Sequence, residues 1–145
     1  MKAFLDTNIL LDLLLEREGY ELCARIFQLK DDGTIELCAS VLTMINVAYV
    51  YRKTVGQSSA ITNLKYISAL LDVLPMDNDT IQQALYLEGK DFEDILQYIC
   101  AAQNHCDSVI TRNSKDFKIK PGLKNLPVLP TVYTPEAFLA MMQSA

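Results

Sequence analysis

The sequence predicts an α/β fold, a three-layer α/β/α arrangement around a short central parallel sheet. Short apolar stretches alternate with amphipathic helical runs along the 145 residues, the pattern of strands joined by helical crossovers. Half the residues are hydrophobic and only five Gly and five Pro are spread along the chain, which gives enough apolar material to cover a sheet on both faces and argues against disorder. Polar residues stand directly behind the first strand and a later one, at Asp6-Thr7-Asn8 and Thr111-Arg112-Asn113, where open parallel sheets place their ligand sites. One domain over residues 1–145 is expected, since a chain of this length buries roughly two thirds of the surface its unfolded form exposes.

Each element has a local reason. Residues 2–5, KAFL, read as a strand, and the apolar run after Asn8 reads as helix that continues with breaks to about Lys30. Asp31-Asp32-Gly33 is a turn, Thr34 to Ala39 alternates like a buried strand, and Ser40 caps an apolar helix to about Thr54. Gly56-Gln57-Ser58-Ser59 breaks the chain before a helix over Ala60 to Leu71, followed by a short strand at Val73-Leu74-Pro75-Met76. Asp77 caps a helix ending near Gly89, and Asp91 starts another through about His105 that sets Phe92, Ile95, Ile99 and Ala102 on one face. Asp107 to Thr111 is a strand leading into a basic stretch, Pro127-Val128-Leu129 is a last short strand, and Thr134-Pro135-Glu136 opens a helix through Met142, with Pro at its first position.

Composition and charge narrow the function. Asp6 and Asp12 interrupt MKAFLDTNILLDLLL and no basic leader precedes it, so neither a signal peptide nor a membrane span is expected and a cytoplasmic location is. Cys23, Cys38, Cys100 and Cys106 form no CxxC pair and His105 is the single histidine, so a zinc site of usual spacing is not expected and the cysteines read as reduced core residues. The net charge of -5 argues against gripping nucleic acid by bulk electrostatics alone. Arg112, Lys115, Lys118, Lys120 and Lys124 nevertheless face only Asp116 in one stretch, which reads either as a phosphate-contacting loop or as a solvated surface.

An Asp inside an apolar segment caps a helix, pairs with a distant group, or holds a cation. Asp91 and Asp94 fall in the first turn of a helix, where acids meet the macrodipole favourably by about 0.3–1 kcal/mol, which is a sufficient structural reason for them. The functional alternative sets Asp94 across a cleft from Asp6. Two carboxylates so placed repel unless a divalent cation lies between them. Mg²⁺ is held by one or two carboxylates plus waters and substrate phosphates, and Mn²⁺ takes similar oxygens, so this sparse set suffices to activate water against a phosphodiester.

Three blocks, LDTNILLDLL, SVLTMINVAYVYRK and DFEDILQYICAAQNHCDSVITRNSKDF, in this order and across nearly the whole chain, resemble the PIN domain, most of all the single-domain proteins that include VapC-like toxins. The resemblance implies a ribonuclease that hydrolyses RNA with Mg²⁺ or Mn²⁺, with a small antitoxin protein as partner. It makes Asp6 the first metal-binding acid, Asp94 the later acid, and Asp116 a ligand or water-holder supported by Asn113, which stands where Asp is common. Thr7 and Asn8 would shape the Asp6 turn, and with Thr111, Arg112 and Lys115 would meet the substrate. The DTN triplet also opens haloacid-dehalogenase-type phosphatases, but these need a second Asp where Asn8 stands.

The middle block departs from the family pattern. S-x-x-T-x-x-E appears as Ser40-Val41-Leu42-Thr43-Met44-Ile45-Asn46, and an amide brings no charge and accepts protons poorly. In a helix apolar almost all round, Asn46 is expected to be substantially buried, either as a hydrogen-bonded core amide or facing the cleft, with Asp12 or Glu93 as acids that could make up the charge. The alternative function is a catalytically impaired PIN-like module that binds RNA or a protein partner. Tyr49, Tyr51, Tyr66, Tyr86 and Tyr98 on predicted helices suit a homodimer.

Overall fold

The computed structural model describes residues 1–87, 91–117 and 128–144, without the side chain of Asp116. Five strands, β1 (Lys2–Leu5), β2 (Glu36–Ser40), β3 (Asp72–Leu74), β4 (Ser108–Ile110) and β5 (Thr131–Tyr133), form one sheet in the order β3-β2-β1-β4-β5. Every pairing is parallel, with Phe4 opposite Cys38 on one side and Val109 on the other. The three-layer parallel fold read from the sequence is therefore present.

Successive strand residues point to opposite faces, and the core divides accordingly. Ala3, Leu5, Leu37, Ala39 and Ile110 pack with α1 (Thr7–Leu14), α2 (Tyr20–Asp31), α3 (Val41–Val55), α4 (Gln57–Leu70) and α7 (Pro135–Gln143). Phe4, Cys38, Leu74 and Val109 pack on the other face with Tyr98, Cys100 and Ala101 of α6 (Phe92–Gln103), against which α5 (Asn78–Tyr86) lies. Both faces are covered, which is why these strands read as nearly continuous apolar runs.

Helices begin at capping residues, most of which stand just after a strand. Asp6 caps α1, Ser40 caps α3 by accepting from Thr43 N, Asp77 forms a capping box with Thr80, Asp91 caps α6, and Thr134 caps α7 ahead of Pro135. α4 starts at Gln57, earlier than the expected Ala60, because Gly56 at φ 89° makes the break alone and Ser58 and Ser59 already accept helical side-chain bonds from Thr62 and Asn63. α6 stops at Gln103 because His105 takes a left-handed φ of 59°.

The last strand lies at Thr131–Tyr133, beyond the expected Pro127-Val128-Leu129: β-branched Thr131 and Val132 pair with β4, whereas Val128 and Leu129 are exposed. Phe92 is also exposed, so the apolar face of α6 begins at Ile95. Of the five tyrosines expected to suit a homodimer, Tyr51 and Tyr98 are core, while Tyr49, Tyr66 and Tyr86 are exposed. All four cysteines are buried and free. Gly89, Lys118, Lys120, Lys124 and Pro127 lie outside the described residues. Among the described residues no helix is long and apolar enough to cross a membrane.

From β1 the chain moves outward to β2 and β3, then returns to the other side of β1 for β4 and β5. The strand order reverses between β1 and β4, and the space beyond the carboxyl ends of those strands is where sheets of this kind bind ligands.

Candidate active site

Asp6 and Thr111 stand at those two strand ends, and they touch. Asp6 N donates to Ile110 O at 3.0 Å, which continues the β1–β4 ladder by one residue, and Thr111 Oγ1 donates to Asp6 Oδ2 at 2.9 Å. Asp6 Oδ1 accepts from Thr7 N at 2.8 Å, so one oxygen caps α1 while the other faces β4. Asp6 is 8% exposed. Burial pushes its carboxyl above the ordinary carboxylate range, the bonds from Thr111 and Thr7 pull it back, and the charge of Asp91 raises it further.

Beneath Asp6 runs a buried polar network that the sequence gives little sign of. Gln97 of α6, fully buried, donates through Nε2 to Thr43 Oγ1 at 2.7 Å and to Thr7 Oγ1 at 3.3 Å. Ser40 Oγ donates to Gln97 Oε1 at 2.6 Å, and the hydroxyls of Thr7 and Thr43 share a bond of 3.1 Å. These four residues tie the first turns of α1 and α3 to the middle of α6. Asn46 lies three residues past Thr43 and Glu93 four before Gln97, spacings that repeat a helical face. The network therefore sets which groups stand over the floor. Its one signal in the sequence is a Gln between Ile95-Leu96 and Tyr98-Ile99.

Above that floor Asn46 is half-buried, not a core amide, because the apolar residues around it are divided between the core and an exposed flank at Val41, Ile45 and Tyr49. Its Nδ2 donates to Glu93 Oε1. Burial raises the Glu93 carboxyl above the ordinary range, as do the charges of Asp91 and Asp6, while Asn46 lowers it. Asp91 is the cap of α6, accepting from the backbone N–H groups of Glu93 and Asp94 at 3.0 and 3.2 Å. Asp94 is half-buried in the same first turn.

Asp12 belongs elsewhere. It is 2% exposed and pairs with Arg112 Nε at 3.2 Å and Arg17 at 3.8 Å. Burial raises its carboxyl, and the two guanidinium groups oppose that. Consecutive residues after β4 thus serve two acids, Thr111 holding Asp6 and Arg112 holding Asp12.

The predicted site residues separate into groups. Asp6, Asn46, Asp94 and the cap of α6 stand at one end of the sheet. Thr7 and Thr111, expected to meet substrate, are buried with their hydroxyls on other site residues, so they position Asp6 instead. Asn8 is half-buried, Asn113 and Lys115 are exposed, Asn113 N donates to Thr111 Oγ1 at 3.2 Å, and Arg112 is engaged by Asp12. The Asp116 side chain lies outside the described residues, its backbone falling in the 3₁₀ turn Ser114–Phe117.

Acids that influence one another need a positive partner, and Arg112 is the weakest of the influences on Asp6. Among the described residues no three His, Cys, Asp or Glu come together to cage a metal. The set fits a hard cation that keeps most of its waters and takes one or two carboxylates, and does not fit one that needs a full protein cage.

A family model for the PIN domain matches residues 2–115. Ribonuclease VapC1 of Aquifex aeolicus is 27% identical over 122 residues, covering 80% of this chain and 83% of that protein. Among solved structures, VapBC2 from Rickettsia felis bound to a DNA fragment from their promoter superposes with a TM-score of 0.67 at 15% identity, covering 92% of this chain and 98% of that one. A toxin-antitoxin complex from Klebsiella pneumoniae superposes with a TM-score of 0.63 at 24% identity, covering 92% and 97%.

Proposed function

The chain belongs to the PIN domain family, and from that membership and the site geometry we propose that it is an endoribonuclease dependent on Mg²⁺ or Mn²⁺ and the toxin of a toxin–antitoxin pair. The observation that carries the reading is the buried Asp6, held by Thr7 and Thr111 at the switch point of the sheet and within reach of the charge of Asp91, the cap of α6. Similarity to a protein named a ribonuclease supports the substrate class, and the toxin-antitoxin neighbours support an antitoxin partner. A cytoplasmic location and a second copy of the chain, met through exposed Tyr49, Tyr66 or Tyr86, complete the proposal.

Asp6 and Asp94 would hold the cation, with Asp116 holding one of its waters or taking the place of one as a ligand. When bound, a divalent cation supplies a polarised water and neutralises charge on the phosphodiester. The chain's own part is preorganisation. Thr111 and the Thr7 amide fix both oxygens of Asp6, so no reorganisation is needed when charge develops, and the Gln97 network holds the starts of α1 and α3 at fixed separation from the middle of α6. Exposed Lys115 would meet backbone phosphate, while Arg112 is committed to Asp12.

Cleavage of single-stranded RNA with Mn²⁺ tests the proposal in the parent, Asp6→Asn and Asp94→Asn. Each substitution is expected to reduce cleavage by at least about a hundredfold, since a ligand is lost and even outer-shell changes at metal sites cost about 10–100-fold. Equal cleavage by all three sinks the reading. Asn46 keeps a second reading in view, a module that binds without cutting: an inert parent that gains cleavage as Asn46→Glu establishes it.

A further inference from the structure

Acids are spread unevenly along the chain. All 18 Asp and Glu lie outside residues 37–71, a stretch that carries Arg52, Lys53 and Lys65 and folds as the end of β2, α3 and α4. α3 starts at the carboxyl end of β2, the sheet end where Asp6 stands. Tyr49 and Lys53 follow Asn46 by three and seven residues, which sets them on the same helix face about 4.5 and 10 Å further along the axis. We infer that this face is a track for the unpaired part of an RNA substrate, in which Tyr49 stacks on a base while Arg52 and Lys53 meet neighbouring phosphates. The inference rests on the nuclease reading above and adds how the strand is led to the site.

The side chains hold both halves of such a contact. Tyr49 is 53% exposed, with Lys53 Nζ 4.2 Å and the Arg52 guanidinium carbon 5.9 Å from its ring centroid, so two cations gather at one aromatic ring. Both cations are exposed, and among the described residues neither is in an ion pair, whereas Arg17, Lys30 and Arg112 are. A ring flanked by unpaired cations suits a single strand, because a base of any identity stacks on the ring and the phosphates take the charge. The flexible lysine stem lets the ammonium move from the ring to a phosphate, which frees the ring for the base. Paired RNA keeps its bases stacked on one another and offers none to Tyr49, so the track selects unpaired segments. RNA is favoured over a protein because ring and cations occur together on the face that leads to Asn46, whereas a protein partner would bury Tyr49 as apolar area with Val41 and Ile45. Tyr49 thereby goes to the substrate, and Tyr66 and Tyr86 are left for a second copy of the chain.

Fluorescence anisotropy of a labelled single-stranded RNA of mixed sequence, with divalent metal chelated so that the RNA stays whole, tests the inference. Tyr49→Leu keeps apolar area but has no π-face and is expected to weaken binding at least about fivefold, while Tyr49→Phe stays within about twofold of the parent. Arg52→Gln combined with Lys53→Gln is expected to lower the slope of log affinity against log salt by about 1.4, the share of two phosphate contacts on a single strand. All three side chains are exposed, so the variants are expected to fold as the parent does. Tyr49→Leu binding within about twofold of the parent, Tyr49→Phe as weak as Tyr49→Leu, or an unchanged salt slope overturns the inference. Unchanged RNA affinity with a loss of self-association in sedimentation gives the face to a second copy and overturns it as well. In each case the nuclease reading stands if the parent still cleaves RNA far faster than Asp6→Asn. A parent that neither binds nor cleaves RNA overturns both.

Discussion

Asp6 and Asp12 lie six residues apart at the two ends of one helix, both nearly buried, and are treated in opposite ways. Asp12 meets two guanidinium groups, whereas Asp6 meets two neutral donors and the charges of other acids. A buried carboxylate normally recruits a positive partner from within the chain, as Asp12 does. In the proposed reading Asp6 leaves that position to a cation. The same residue type at the two ends of one helix would then be in one case structure and in the other a receptacle.

The sharpest way to break the comparison is to neutralise each acid in turn. Asp6→Asn is expected to lose at least about a hundredfold in RNA cleavage without a fall in melting temperature at neutral pH, because it removes an uncompensated buried charge. The largest effect on stability is expected at the floor both readings share. Gln97→Leu leaves the hydroxyls of Ser40, Thr43 and Thr7 with fewer partners and should cost about 2 kcal/mol by chemical denaturation, with a matching drop in activity as the helix starts loosen.

Arg112→Met turns Asp12 toward the condition of Asp6. Removing one partner of a fully buried pair costs about 3–5 kcal/mol, but Arg112 is 44% exposed and Arg17 remains, so about 1–2 kcal/mol is expected in urea unfolding after discounting for solvent screening. Cleavage within a few-fold of the parent would confirm that Arg112 acts on Asp12, and a large loss would return it to the substrate.

The smallest effect is in pH. The folded carboxyls of Asp6, Asp12 and Glu93 are raised above their ordinary values, so the folded chain holds protons that the unfolded chain releases. Their contribution is greatest when they are protonated and falls as pH rises from the ordinary carboxylate range, about 4, through the raised values. The melting temperature of the parent should therefore decline relative to Asp6→Asn over that window, and Mn²⁺ at neutral pH should recover the difference. Parallel curves for the two proteins would show that Asp6 carries no such strain.

Much of this was legible because it is local. Strand–helix alternation, the caps at Ser40, Asp77, Asp91 and Thr134, and the position of Asp6 behind β1 follow from neighbouring residues. The last strand was not, since Pro127-Val128-Leu129 and Thr131-Val132-Tyr133 have similar propensities and only pairing with β4 selects one. Asn46 was expected to be buried because the helix around it is apolar on nearly every side, but some of that apolar surface is exposed.

By itself the sequence determined the class of fold, the order of elements and the acid at the first strand's end, because hydrophobic period and capping chemistry act over a few residues. Tertiary structure decided the company each acid keeps. Asp12 and Glu93 were equal candidates on the chain, and only the fold carried Arg112 from 100 residues away onto Asp12 and the start of α6 onto Asn46. Electrostatics depends on distance in space, and the chain specifies that distance only once the sheet has brought β1 and β4 side by side.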